Sequence, residues 1–299
     1  MPNNIALVTK FQPLLDEVYK AASKTAILEA PASKVLFDGS QTVKVYKTSV
    51  QGLATHTRGG GFVTGDVTGA WESMTLAYDR SRSFSIDAMD NDETLEMAMG
   101  SLVGEFIRTK VVPEADAIRF AKMASASNIL TTTGATLTSS TVIAALDAAI
   151  LAMDEAEVPK EGRILFVTPT IYGAMKASTA FQRFVAAGQG LNRNFPAFDD
   201  MPVISVPQTR FYTAVTLYDG TTGGQEAGGY IKNSGSGKDI NFMIVNPGAV
   251  LQVTKHVKPR IFTPDQNIND DAYKFDYRVY HDLFVYENKA AGIYLHKKA

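Results

Sequence analysis

The alternation of residues 273–285 is what most limits the folds open to this chain. Tyr273, Phe275, Tyr277, Val279, His281, Leu283 and Val285 take every second position, the mark of a β-strand with one buried face. At about 3.3 Å per residue the run spans about 43 Å, where an ordinary strand covers about 17–20 Å. A second element rivals it. Residues 92–124 begin with an apolar stripe of Leu95, Met99, Leu102, Val103, Phe106 and Ile107. As one continuous helix they would rise about 50 Å. A compact globule of 299 residues has a diameter of about 50 Å. Two elements approaching that full width predict a flat, elongated subunit. Such a shape buries its own surface poorly and completes itself against neighbours.

The helix is expected to open at Asp90 with Glu93 as capping partner, and Asp92, Glu93 and Glu96 load its first turns with negative charge. Arg108 and Lys110 complement its far end, and Pro113 predicts either a kink or the start of a second helix over 114–124. Upstream, residues 1–34 read as an arm too short for a domain, with an amphipathic stretch at 14–19 and a stop at Ala30-Pro31. Residues 43–50 alternate as a strand. Residues 51–71 then carry Gly52, Gly59, Gly60, Gly61, Gly65 and Gly69 among threonines. A stretch that long between strands reads as a protruding hairpin. Its expected return strand is the next alternation, with Leu76, Tyr78, Arg80, Arg82, Phe84 and Ile86 on one face.

After a polar boundary at 125–140 the texture becomes α/β. A helix over 141–156 is stopped by Pro159, a strand over 163–168 follows, and Pro169 opens a helix with Thr168 as N-cap. A helical pattern at 181–187 ends at Gly188. Short strands are expected at 203–206 and 214–217, then a second glycine-rich patch at 220–237 and a strand at 240–245. Strand 250–262 and the polar turn 263–271 lead into the long alternation, and no internal repeat is visible.

Composition removes several classes of function. There is no cysteine, hence no disulfide, thiolate metal site or thiol nucleophile. Lys and Arg total 29 against 31 Asp and Glu, a net charge of −2, which argues against a dedicated nucleic-acid binder. No charged leader precedes an apolar run, and no stretch reaches the roughly 20 apolar residues of a membrane span. The longest weakly polar run, 142–153, is interrupted by Asp147 and reads as a core helix. A soluble, cytoplasmic protein without membrane contact is expected.

Candidate chemistry is sparse. Ser234-Gly235-Ser236-Gly237-Lys238-Asp239 has the look of a phosphate loop, but Lys232 stands where the first glycine belongs and Asp239 replaces the magnesium-binding hydroxyl. It reads as a surface loop. Asp265, Asn267, Asn269, Asp271 and Asp276 follow calcium-loop spacing, yet Asp270 occupies the glycine position and no helices flank the segment. It reads as a solvated turn. His56, His256, His281 and His296 lack ligand spacing, and His281-Asp282 on a strand point to opposite faces. No Gly-x-Ser-x-Gly elbow occurs, and Glu155 and Glu157 read as solvated. No catalytic residue, cofactor or metal is assigned.

The order of elements, with the residues that mark it, resembles the major capsid proteins of tailed bacteriophages, the Hong Kong 97-type fold. The resemblance covers nearly the whole chain. It rests on residues 71–90 with Tyr78-Asp79-Arg80, Phe84 and Ile86-Asp87, on Glu93-Thr94, and on Val112-Pro113-Glu114-Ala115-Asp116. It continues in the strand-to-helix step at 165–175, in Asn246-Pro247-Gly248-Ala249-Val250 and in Tyr277-Arg278-Val279-Tyr280-His281-Asp282. Order and spacing make the case; no single motif is specific.

The resemblance implies an α+β fold in four parts. Residues 1–34 would be an N-terminal arm and 51–75 an extended β-hairpin loop lying over a neighbouring subunit. Residues 35–50, 76–127 and 250–285 would form a peripheral domain with a long spine helix, and 128–249 with 286–299 an α/β axial domain. It further implies a shell subunit that assembles with itself as pentamers and hexamers and encloses double-stranded DNA. Arg58, Gly60, Asp66 and Trp71 would make inter-subunit contacts from the extended loop, with Arg58 and Asp66 as charge partners. Asp265, Asn267 and Asp270 would do so near the local three-fold axes. With only about 34 residues before the first strand, a separate scaffolding protein is expected, together with a portal. Lys44 and Lys47 lie at the base of the loop and none lies within it, so no Lys–Asn cross-link is expected. The near-neutral charge suggests weak, non-specific contact with packaged DNA. The expected location is the virion capsid, assembled in the bacterial host cytoplasm. Two other readings stay open: an encapsulin-like nanocompartment shell, and a cytoplasmic α/β enzyme with a pocket near Asp147, Thr168 and Tyr172.

Overall fold

Two sheets packed against one shared helix form the body. A computed structural model describes residues 23–29, 37–38, 42–56, 58–60, 62–93, 97–178, 197–268 and 270–299. The amphipathic stretch at 14–19 and the helical pattern at 181–187 lie outside the described residues. In the first half the strands are β1 (Phe37–Asp38), β2 (Thr42–Val50), β3 (Val67–Thr75), β4 (Tyr78–Asp87), β5 (Leu130–Thr132) and β6 (Ile164–Val167). There follow β7 (Ala197–Phe198), β8 (Met201–Ser205), β9 (Val215–Leu217), β10 (Tyr230–Lys232), β11 (Ile240–Val245), β12 (Val250–Phe262), β13 (Ala272–Val285) and β14 (Ile293–Lys297). The helices are α1 (Ala88–Glu93), α2 (Met97–Phe106), α3 (Val112–Ser125), α4 (Val142–Glu155) and α5 (Pro169–Lys176).

The long alternation becomes β13, at the centre of an antiparallel sheet ordered β12-β13-β4. Its inward residues Phe275, Tyr277 and Val279 pack with Val103, Ile107, Val111, Val112 and Ala115 from α2, α3 and the turn between them. Phe84 and Phe106 close this core edge to face, with centroids 4.9 Å apart. The second sheet has the order β5-β14-β11-β6-β8-β7. All of β11 is buried because both faces are covered. Met243 and Val245 face Phe120 and Met123 of α3, while Phe242 and Ile244 face Leu146, Met153 and Ile171 of α4 and α5. Thus α3 seals a face of each sheet.

Two expectations need correction. The hairpin does not return through residues 76–86. Its return strand is β3, paired with β2 from Thr42↔Thr75 to Val50↔Val67, and β4 instead pairs with β13, Phe84 opposite Phe275. Phe84 and Ile86 need the cover that the helical layer gives, and a protruding ribbon has none.

The helix after β4 begins at Ala88, not Asp90. Asp87 is the cap, its Oδ1 accepting from Met89 N at 2.9 Å.

Pro113 starts a second helix, one of the two outcomes expected: α3 begins at Val112 with the proline in its first turn. Ile107–Val111 form a π-helical turn whose last bond runs from Val112 N to Ile107 O. Pro113 has no N–H to give the Thr109 carbonyl, and the wider turn before it leaves room for the ring. Two regions read as unstructured also hold strands: β5 lies within 125–140 and β10 within 220–237.

Candidate functional site

β2 and β3 form a ribbon whose base packs on the body. A two-stranded ribbon is marginal on its own, so its side chains show what it is built to meet. Period-two geometry places Tyr46, Thr48 and Val50 on one face of β2, and the register sets Trp71, Gly69 and Val67 opposite them. On this face Tyr46 is 56% exposed, Val50 69%, Val67 70% and Trp71 59%. Tyr46 and Trp71 meet edge to face at 5.1 Å. Gly69 leaves room for the Tyr46 ring, since a Cβ there would push the Tyr46 hydroxyl aside. Beyond the strands, Leu53 and Phe62 stand almost wholly in solvent and His56 lies 5.5 Å from the Phe62 ring. Exposed apolar side chains gathered on one face make it the candidate contact surface.

The opposite face joins the body: Val43, Val45 and Met74 at its base pack with Leu251 and Val253 of β12, and Lys47 and Glu72 lie further along it. Lys47 Nζ lies 2.9 Å from Glu72 across the ribbon and 2.5 Å from Glu287 in the turn before β14. The Glu287 carboxylate, then that of Glu72, raises the Lys47 pKa above its usual value. The buried Val43 and Met74 set which way the ribbon turns its exposed side, and the Lys47 pairs add to it.

The segment before β1 is fastened separately. Asp116, fully buried on α3, accepts from Ser23 Oγ (2.7 Å), Lys24 N (3.0 Å), Thr25 N (3.2 Å) and Thr25 Oγ1 (2.8 Å). Arg210 reaches the same carboxylate at 3.3 Å. Two residues earlier, Glu114 takes Arg80 at 2.5 Å. Each acidic residue of the Val-Pro-Glu-Ala-Asp run therefore holds a different part of the chain.

The residues singled out from sequence fall in different settings. Trp71 is brought together with Tyr46. Asp66 pairs with Gln51, whose Oε1 accepts from Asp66 N at 3.1 Å. Arg58 and Gly60 are exposed at the loop tip, and among the described residues no ion pair links Arg58 to Asp66. Asp265 and Asp270 are exposed beside the turn Pro264–Gln266, which Gln266 N closes by donating to Thr263 O at 2.9 Å. Asn267 is half-buried and donates to the Ala272 carbonyl at 3.0 Å. Tyr46, Val50 and Val67 escaped the sequence reading. The signal was alternation shared by 46–50 and 67–71, visible only once those segments are paired.

The phosphate-like loop uses its own backbone donors, since Asn233 Oδ1 accepts from Gly235 N at 3.0 Å and Ser236 N at 2.9 Å. Near the suggested enzyme pocket, Asp147 is exposed and the buried Thr168 hydroxyl caps α5 by accepting from Ile171 N at 3.4 Å. Among the described residues no cluster of three or more His, Asp or Glu side chains could hold a metal ion, and no helix could cross a membrane.

No family model and no curated protein sequence matches the chain. Solved structures do. The capsid of cyanophage P-SCSP1u shares 14% identity over 88% of this chain and 85% of its own, with a TM-score of 0.61. A chain of Gordonia phage Cozz shares 12% over 94% and 86%, at 0.60. A virus-like particle from Pyrococcus furiosus shares 11% over 97% and 99%, at 0.52. The fold is that of these phage capsid structures, a mixed assembly of helices and sheets.

Proposed function

We propose that this chain is the major capsid protein of a tailed phage, a structural subunit that assembles with copies of itself into an icosahedral shell around double-stranded DNA. The observation that carries this reading is the exposed apolar face of the β2–β3 ribbon. Four large side chains held in water on a marginal ribbon have no use within the subunit. Covering what each still exposes contributes about 1–2 kcal/mol, repeated at every copy. The likeness in fold to phage capsids supports the same conclusion.

In this reading the ribbon with its loop 51–66 is the extended loop, with Arg58, Gly60, Asp66 and Trp71 at inter-subunit contacts. The sheet β12-β13-β4 with α2 and α3 is the peripheral domain, and the six-stranded sheet with α4 and α5 is the axial domain of pentamers and hexamers. The turn holding Asp265, Asn267 and Asp270 contacts neighbours near three-fold axes. A separate scaffolding protein and a portal complete assembly in the host cytoplasm, DNA contact is weak, and the mature protein resides in the virion. The Pyrococcus particle, matched over 97% of this chain, favours a nanocompartment shell as the second reading.

Negative-stain microscopy of the purified chain, alone and with a co-expressed scaffold, tests the proposal. Closed shells are expected. Monomers under every assembly condition would refute it, and shells that retain a cargo enzyme and exclude DNA would favour the second reading.

A further inference from the structure

The second glycine-rich patch has a use that the assembly surfaces leave unexplained. Residues 218–229 join β9 to β10, and none of them is buried. The loop is rooted in the six-stranded half, where Thr213 N donates to Lys238 O (2.9 Å), Ile240 N to Phe211 O (3.2 Å) and Tyr230 Oη to Thr209 O (2.9 Å). The loop crosses over β4, in the other half, and Arg80 holds its two ends, Tyr218 and Gly229, which also pair with each other, Tyr218 N donating to Gly229 O at 2.9 Å. There Arg80 Nη1 donates to Tyr218 O at 2.9 Å and Nη2 to Gly229 O at 3.3 Å, while Nε holds Glu114 of α3 at 2.5 Å. Arg82 Nη2 donates to Glu226 O at 3.1 Å.

One guanidinium thus ties β4, α3 and the loop together, and a second pins the loop tip. The glycines make this possible. Gly220 and Gly229 have φ of +80° and +83°, which turn the chain so that loop carbonyls face the arginines. A Cβ on Gly220 would come within 2.9 Å of Arg82 Nη1. Beneath the loop lies a cavity of about 1190 Å³ lined in part by Phe84, Phe106, Lys110 and Tyr212. Hydrogen bonds, not apolar packing, hold the loop down. A contact of that kind can open without unfolding either half.

We infer that the loop 218–229 is a clasp, closed by Arg80 and Arg82, that fixes the angle between the two halves of the subunit and so the curvature of a shell built from it. The statement about curvature rests on the capsid reading; the clasp does not. Both arginines are positioning residues. The planar fork of Arg80 is essential, because a lysine could keep the charge on Glu114 but not reach two carbonyls as well.

Amide hydrogen exchange on the purified full chain tests it with Arg80→Lys, Arg80→Ala and Arg82→Ala. Arg80→Lys should speed exchange across 218–231 at least about tenfold, with 242–245 and 275–279 changing less than about twofold. A role in charge balance alone would leave Arg80→Lys like the parent. Should Arg80→Ala unfold, Arg80→Lys and the exposed Arg82→Ala still report on the loop. Loop exchange within about twofold of the parent in both would overturn the clasp. On microscopy, Arg80→Lys shells should be altered in diameter or heterogeneous; a freed loop with shells of parental size would overturn the curvature statement. A parent that forms no shell would fail the capsid reading alone, and the exchange result would stand.

Discussion

Thr25 gives Asp116 two hydrogen bonds, from its backbone N at 3.2 Å and its hydroxyl at 2.8 Å, and both residues are wholly buried. With Ser23, Lys24 and Arg210 on the same carboxylate, this is where the chain preceding β1 is fastened to the helix shared by both sheets. Such a carboxylate is tolerated inside because every lone pair has a donor.

Asp116→Ala strands those donors in a dry site. A loss of about 3–5 kcal/mol is expected from chemical denaturation, with Thr25→Val costing about 1 kcal/mol. A change below about 1 kcal/mol for Asp116→Ala would show that the network does not hold the segment.

His281 sets an acid limit. Burial, then the Arg119 and Arg80 charges, pushes its pKa from 6.5 down to about 3, and Nδ1 has no hydrogen-bond partner among the described residues. Between those values the unfolded chain binds a proton that the folded chain refuses. Stability is therefore full above pH 6.5 and falls by up to about 1.4 kcal/mol per unit as pH drops towards 3. Asp282 acts in the opposite sense: burial raises its pKa, so its contribution is full at low pH and fades as pH rises through the folded value. Comparison with His281→Leu isolates the histidine, since both proteins keep Asp282. Denaturation midpoints should depend less steeply on pH below 6.5 in the variant, and equal slopes would contradict the assignment.

How much of this could be read from the sequence depended on where each signal lay. β11, β12 and β13 showed clearly because long apolar or alternating runs have one reading, and Thr168-Pro169 marked the start of α5 because cap and proline act locally. β3 was hidden by its composition. Gly69 sits beneath Tyr46 and the side chains facing solvent are apolar, so the segment looked like more of the glycine-rich loop. Asp87 was passed over as cap because Asp90 and Glu93 offered the same chemistry one turn later. Neither the Asp116 network nor the Arg80 fork is visible from sequence, since each joins residues far apart in the chain.

Gly69→Val forces the Tyr46 ring off Trp71. Both residues are exposed, so subunit stability should change by less than about 1 kcal/mol. Assembly should weaken about tenfold or more in critical concentration, read by sedimentation velocity, as expected for losing about 1.4 kcal/mol of contact. Unaltered assembly would mean that the ring pair is not part of the contact.

Trp71 is the only tryptophan in the chain, so its fluorescence reports on the ribbon face alone. The direct test is the emission of the same preparation as free subunit and as assembled particle, with Tyr46→Glu as control. Emission should move to shorter wavelength and resist quenching in the particle, and Tyr46→Glu should stay folded, unassembled and unshifted. Particles whose Trp71 emission and quenching match the free subunit would show that this face is not where copies meet.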